Sequence, residues 1–308
     1  MTDAGLPLPP REALALLRSA QRVGYVFSGG SARCAFQVGV VEGLAELGIR
    51  PALCVAVSGG VWNAAAVAAG SQARLRHYWR AFARMPPVDL SNLAREHSPF
   101  RFNEMHRRTF SRYVGPERLK SAASLPLHVG VTRLRDRRFR AFTAGDFDDP
   151  LLPLLASNYL PPFYTHAPAI GGERYGDGSL SDNLPYELAF AAGCDAVVLV
   201  NQKGESEGLP YRHPRDPEHR IPAPFRERTV LIRPRHRLPA TFTERRWPVL
   251  AQTMELGALR TREVLLGERH AATDVPHFGG PIAYLVARLV MTRIAALGTG
   301  RKTTDGAA

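Results

Sequence analysis

A short apolar run, Val23-Gly24-Tyr25-Val26-Phe27, stops at the small polar loop Ser28-Gly29-Gly30-Ser31. A continuous run bounded by turn residues predicts a strand buried on both faces. From Ala32 to Leu47 the apolar residues Ala35, Phe36, Val38, Val40, Leu44 and Leu47 suit a helix, and Gly48 suits its C-cap. A second apolar run, Ala52 to Val57, ends at Ser58-Gly59-Gly60, and an alanine-rich helix then runs to Ala69 with Gly70 as its stop. Strand, glycine loop, helix, strand, sharp turn, helix is the pattern of an α/β protein with parallel strands.

Further along, Ala73 to Met85 sets Leu75, Tyr78, Trp79, Phe82 and Met85 on one helical face and Arg76, Arg80 and Arg84 on another. The ordinary reading is one face on the core and one in water; contact with a lipid interface is the rarer one. Residues 88–124 are polar, arginine-rich and weakly patterned, and read as helical insertions over the site. Leu127 to Thr132 and Arg138 to Thr143 predict a hairpin around Arg135-Asp136-Arg137. Its arginines are either a charged guard on a sheet edge or a phosphate site. Leu151 to Ala156 reads as a short helix, and Ala196 to Val200 and Thr229 to Ile232 as core strands. Residues 202–228 hold five prolines and predict a loop. Trp247 to Gly267 and Pro281 to Leu297 are predicted amphipathic helices, with a short helix, Arg11 to Gln21, at the start and a frayed tail from Gly298.

Composition narrows the class. A 45% hydrophobic content supports a real core across the 308 residues, and no apolar run reaches the ~20 residues that a membrane-spanning helix needs. Met1 to Glu12 lacks the basic stretch and apolar core of a secretory signal. Cys34, Cys54 and Cys194 are too few for a disulfide framework or a cysteine zinc site, so the expected compartment is the reducing cytoplasm. The net charge is +12, and of 40 basic residues only Lys120, Lys203 and Lys302 are lysine. Such a surface suits peripheral contact with anionic lipid. No stacking-aromatic or helix-turn-helix signature accompanies it, so nucleic acid is not an expected partner.

Three short segments carry candidate chemistry. Ser58 lies between a strand and a helix in Ala56-Val57-Ser58-Gly59-Gly60. A serine on such a turn projects its hydroxyl into the open, and the crowded turn demands small neighbours. A helix N-cap is the plainer reading of Ser58 alone. The loop Ser28 to Arg33 exposes successive N–H groups that can receive an oxyanion or a phosphate. It has no lysine for a P-loop and does not match the dinucleotide fingerprint, which leaves an oxyanion hole or a simple tight turn. Asp177, between Gly176 and Gly178, is a candidate base on a tight loop, although an Asp-Gly turn is common for purely local reasons. The ten histidines show no metal spacing. His166 could line a pocket but fits a surface position better, and spacing leaves His236, His270 and His277 open as members of a triad.

Taken together, Phe27 to Val40, the turn at Ser58, and Asp177-Gly178-Ser179 followed by Asn183-Leu184-Pro185 strongly resemble the patatin-like phospholipase family, over about Val23 to Phe190. The resemblance implies a three-layer α/β/α sandwich with a mainly parallel sheet. It implies a catalytic unit over 23–190 after a leader helix in 1–22, with 191–297 continuing the same fold and 298–308 a flexible tail. It also implies hydrolysis of lipid or other acyl esters by a Ser–Asp dyad through an acyl-enzyme, with neither metal nor other cofactor. By this resemblance Ser58 is the nucleophile and Asp177 the proton acceptor. Gly29, Gly30 and Ser31 form the oxyanion hole, and Arg33, Ala56, Gly60, Gly178 and Asn183 support it. The chain departs from the usual family pattern at Ser31, Cys34 and Ala56, each commonly glycine, and at Ser179, commonly glycine or alanine. An acyltransferase using the same dyad and a catalytically weak lipid-binding protein are the alternative readings. Product analysis with an alcohol acceptor and labelling by a fluorophosphonate separate them.

Overall fold

The computed structural model describes residues 8–96, 99–161, 163–164, 167–207 and 221–277. Eight strands form one sheet: β1 (Val23–Phe27), β2 (Leu53–Val57), β3 (Leu127–Arg133), β4 (Phe139–Thr143), β5 (Ala169–Ile170), β6 (Glu173–Asp177), β7 (Ala196–Val200) and β8 (Thr229–Ile232). Their order is β5-β6-β3-β2-β1-β7-β8, with β4 also paired to β3. The β1–β2, β1–β7, β2–β3 and β7–β8 pairs are parallel, and β4, β5 and β6 join antiparallel at one side.

Side-chain alternation builds the layers. Tyr25, Phe27, Cys54, Ala56, Ala196, Val198 and Val200 face one core, and Val26, Leu53, Val55, Val197 and Leu199 face the other. The first is covered by α1 (Pro10–Ser19), α2 (Ala35–Glu46) and α3 (Gly60–Ala68), joined by the late helix (Trp247–Leu266), numbered α10 below. Between them in sequence lie α4 (Leu75–Arg84), α5 (Asn92–Glu96), α6 (Phe102–Tyr113), α7 (Leu151–Ser157), α8 (Tyr186–Ala191) and α9 (Ala223–Arg226). Tyr186 and Ala189 of α8 and Phe225 of α9 cover the second face. This is the expected three-layer sandwich.

The α2–α10 crossing is backbone-close. A Cβ on Gly39 would lie 1.7 Å from the Met254 carbonyl oxygen, and one on Gly257 would lie 2.0 Å from that of Phe36. Because β7 pairs with β1, the sheet does not end at residue 190.

Several elements differ from expectation. The helix expected from Ala32 begins as a 3₁₀ turn, Ser31–Cys34, before α2. Residues 88–124 hold α5, α6 and a 3₁₀ turn at Pro116–Lys120. Strands β5 and β6 and helix α8 were not expected. Asp177 is not in a loop but is the last residue of β6. Within 202–228 the described residues form a 3₁₀ turn at Glu205–Glu207 and α9. The helix predicted at Pro281 to Leu297, the tail from Gly298, and His166 lie outside the described residues. The arginine-rich hairpin forms as expected, with Arg133 and Arg138 paired to Asp136 and Arg135 to Glu173.

Candidate active site

Strand β3 brings the two candidate residues together by changing partners midway. Parallel β2 ends with Val57 opposite Gly130, and antiparallel β6 ends with Asp177 opposite Val131. Thr132 pairs with Phe139 of β4 on one edge and with Gly176 of β6 on the other, so β6 occupies the edge that β2 vacates. Ser58, the next residue after Val57, therefore meets the end of β6. Its Oγ donates to Asp177 Oδ2 at 2.7 Å, across 119 positions of sequence.

Both partners are held. Ser58 has φ 51°, the left-handed region that a serine seldom adopts. Its N–H donates to Ser157 Oγ at 2.8 Å, and its carbonyl accepts from Asn158 Nδ2 at 3.1 Å. Asp177 Oδ1 accepts from the N–H of Ser179 at 2.9 Å and from its hydroxyl at 2.7 Å. Thr132 Oγ1 donates to the Asp177 carbonyl at 2.7 Å. Asp177 is only 3% exposed, and burial pushes its carboxyl up to about 6 from an ordinary 3.8, against the opposing pull of the Ser58 and Ser179 hydrogen bonds.

The glycine loop packs directly against this pair. A Cβ on Gly29 would sit 2.5 Å from that of Ser58, which leaves room only for glycine. The Gly29 N–H donates to Asn183 Oδ1 at 2.7 Å, so this one of the three expected oxyanion donors is already engaged. Ser31 has φ 52° and lines the cavity beside Ser58, as does Gly59. Gly30 is extended and accepts from the Arg33 N–H at 3.2 Å and from Arg33 Nε at 3.4 Å. Ala56 is buried in β2. Gly60 opens α3 against the Ser28 carbonyl, and a Cβ on Gly178 would lie 2.2 Å from the Gly130 oxygen. Cys34 is buried beside Gly59, and burial pushes its thiol up, away from the reactive thiolate.

The Ser58 hydroxyl opens into a cavity of about 240 Å³. Its wall is aromatic, with Trp62, Tyr78, Trp79, Phe82, Phe102 and Tyr164 among its residues. Thus the apolar face of α4 serves both core and cavity. His106 was not singled out from the sequence, yet it is the histidine of this wall. It stacks on Trp62 with ring centroids 4.2 Å apart and on Phe82 at 4.6 Å. Its Nδ1 meets the Tyr78 hydroxyl and its Nε2 the Tyr164 hydroxyl, each at 3.1 Å. Burial lowers its pKa to about 3, so it is neutral at ordinary pH. His236 and His277 line a different, small cavity, and His270 is absent from the Ser58 wall. Among the described residues, no three His, Cys, Asp or Glu side chains cluster closely enough to hold a metal ion.

The patatin-like phospholipase model matches residues 25–190, the segment that runs from β1 through α8. The chain belongs to the patatin-like phospholipase family. It is thus a member of a family of lipid acyl hydrolases. VipD from Legionella pneumophila is a structural neighbour at 12% identity and TM-score 0.49, an alignment covering 92% of this chain and 78% of that one. No curated protein sequence matches the chain. Among the described residues, no helix of this patatin-like protein is long and apolar enough to cross a membrane.

Proposed function

We propose that the protein hydrolyses carboxylic esters of lipids through an acyl-enzyme on Ser58, with Asp177 as the base. The observation that carries this reading is the 2.7 Å hydrogen bond from Ser58 Oγ to Asp177 Oδ2 at the floor of an aromatic cavity. At about 6, the Asp177 pKa makes its carboxylate a stronger base than a free one, yet leaves it about ten to one ionised at pH 7. Asp177 takes the Ser58 proton as Oγ bonds to the ester carbonyl carbon. The carbonyl oxygen becomes an oxyanion, and its donors are the N–H groups of Ser31 and Gly59, two residues that line the cavity beside Ser58. Collapse expels the alcohol, which takes the proton from Asp177. Water then gives a proton to Asp177 and attacks the acyl carbon, and the proton returns to Ser58 as the fatty acid leaves.

The aromatic wall suits an acyl chain, since apolar surface removed from water stabilises the complex by about 25 cal/mol per Å². The neutral Tyr78–His106–Tyr164 set presents no charge to that chain. Reaction with a fluorophosphonate followed by peptide mass analysis tests the assignment. The expected adduct is on Ser58 and disappears in Ser58→Ala. An adduct elsewhere, or undiminished ester turnover by Ser58→Ala, overturns it.

A further inference from the structure

The segment that joins α4 to α6 turns three apolar side chains toward solvent. Its two arms are tied by backbone bonds, with the Asp89 N–H donating to the Pro99 carbonyl at 2.8 Å and the Arg101 N–H to that of Pro87 at 3.0 Å. Val88 and Phe100 form an antiparallel bridge between them. Polar side chains near its root bond to one another and to its backbone. Asp89 Oδ1 accepts from the N–H and hydroxyl of Ser91, and Asp89 Oδ2 lies 3.5 Å from Arg101 Nη1. Asn92 is buried and donates through Nδ2 to the Phe100 carbonyl at 3.0 Å. Its apolar side chains turn outward, with Leu90 72% exposed, Leu93 47% and Val88 46%. Of six large hydrophobic side chains exposed among the described residues, these three fall within six positions. A cluster of exposed apolar residues marks a surface that meets something apolar.

The position of the segment selects the occupant. Pro87 and Phe100, at the roots of the two arms, are part of the wall of the Ser58 cavity. The exposed apolar side chains are thus rooted on residues that line the Ser58 cavity. Arg84, exposed in the last turn of α4, lies just before the segment, and the whole chain carries +12. An apolar tip next to an exposed arginine, on a chain of net positive charge, matches the interface of a bilayer, where leucines enter the acyl boundary and arginines stay at the headgroups. We propose that Val88, Leu90 and Leu93 form the bilayer-docking tip of the protein and seat the cavity mouth on a lipid surface. This rests on the lipid-ester reading of the cavity, but the test needs no turnover.

Flotation with phosphatidylcholine/phosphatidylglycerol vesicles would compare Ser58→Ala with Ser58→Ala/Leu90→Ser/Leu93→Ser, with thermal melts as the control for folding. Loss of the two leucines should lower vesicle partitioning about tenfold or more. Equal partitioning of the two proteins overturns the proposal. So does binding that depends only on phosphatidylglycerol and vanishes for both proteins at about 0.5 M salt, because the basic surface alone then carries it. Leucine-dependent self-association without leucine-dependent vesicle binding assigns the tip to a second copy instead, and also overturns the proposal. Failure of the Ser58 labelling experiment would remove the hydrolase reading and leave this partitioning result standing.

Discussion

The Ser58 N–H donates to Ser157 Oγ at 2.8 Å, and Ser157 Oγ donates in turn to the Gly130 carbonyl at 2.6 Å. One buried hydroxyl thus ties the turn after β2 to the middle of β3, where the partner strand changes. It also holds the backbone of a residue in the left-handed region, a conformation costing about 1–3 kcal/mol that persists only when its surroundings enforce it.

Ser157→Ala leaves the Ser58 N–H and the Gly130 carbonyl without this partner. The expected loss is about 2–3 kcal/mol of stability, read by urea unfolding. If Ser58 is the nucleophile, kcat should fall about tenfold with KM little changed, because the hydroxyl is misplaced rather than removed. A wild-type kcat in a destabilised protein would show that Ser157 serves the fold alone.

If Asp177 is the proton acceptor, its carboxyl sets the pH dependence. Ester turnover should need the ionised carboxylate, so kcat/KM should rise through an apparent pKa near 6 and level off above it. Asp177→Asn should lower kcat by about 10³-fold or more and abolish this limb. A flat profile from pH 5 to pH 8 would remove Asp177 from the role of base.

The same burial predicts a stability gain in Asp177→Asn. A carboxyl whose folded pKa is raised favours folding at low pH, where both states are protonated. That contribution is lost as the pH climbs from about 3.8 to about 6. At pH 8 the ionised, buried group therefore destabilises the protein by roughly 2–3 kcal/mol. Asp177→Asn should melt higher than wild type at pH 8, with the difference shrinking toward pH 4. Equal melting temperatures at both pH values would contradict the raised pKa.

Ser179 stands where the family commonly has glycine or alanine, and its hydroxyl donates to Asp177 Oδ1 at 2.7 Å. Hydrogen bonding to the charged form lowers the pKa. Ser179→Ala should move the pH–rate midpoint upward, by of the order of one unit, and keep the maximal rate within a few-fold. A midpoint that stays put would mean that the Ser179 N–H suffices.

Parallel central strands were legible because strands buried on both faces are written as unbroken apolar runs, as in Val23–Phe27, Leu53–Val57 and Ala196–Val200. The antiparallel strands β5 and β6 were not, since Ala169–Ile170 and Glu173–Asp177 carry neither a run nor a clean alternation. The elbow at Ser58 was readable from small residues after a strand. Asp177 was readable only through its family-like surroundings, because an Asp-Gly pair is locally unremarkable. Nothing in the chain marked His106, Ser157 or Asn158. Each lies on or just after a helix whose local pattern accounts for it without a site, and only strands and helices from distant segments bring it to Ser58 or the cavity wall.

By itself, then, the sequence determined what local chemistry dictates: strand cores, helix stops, a serine on a crowded turn, and glycines where no side chain fits. The tertiary structure alone decided the meeting of Ser58 with Asp177, the engagement of Gly29 by Asn183, and the aromatic cavity above them. Those depend on register between segments over a hundred residues apart, and register follows from how whole faces pack, which no local pattern encodes.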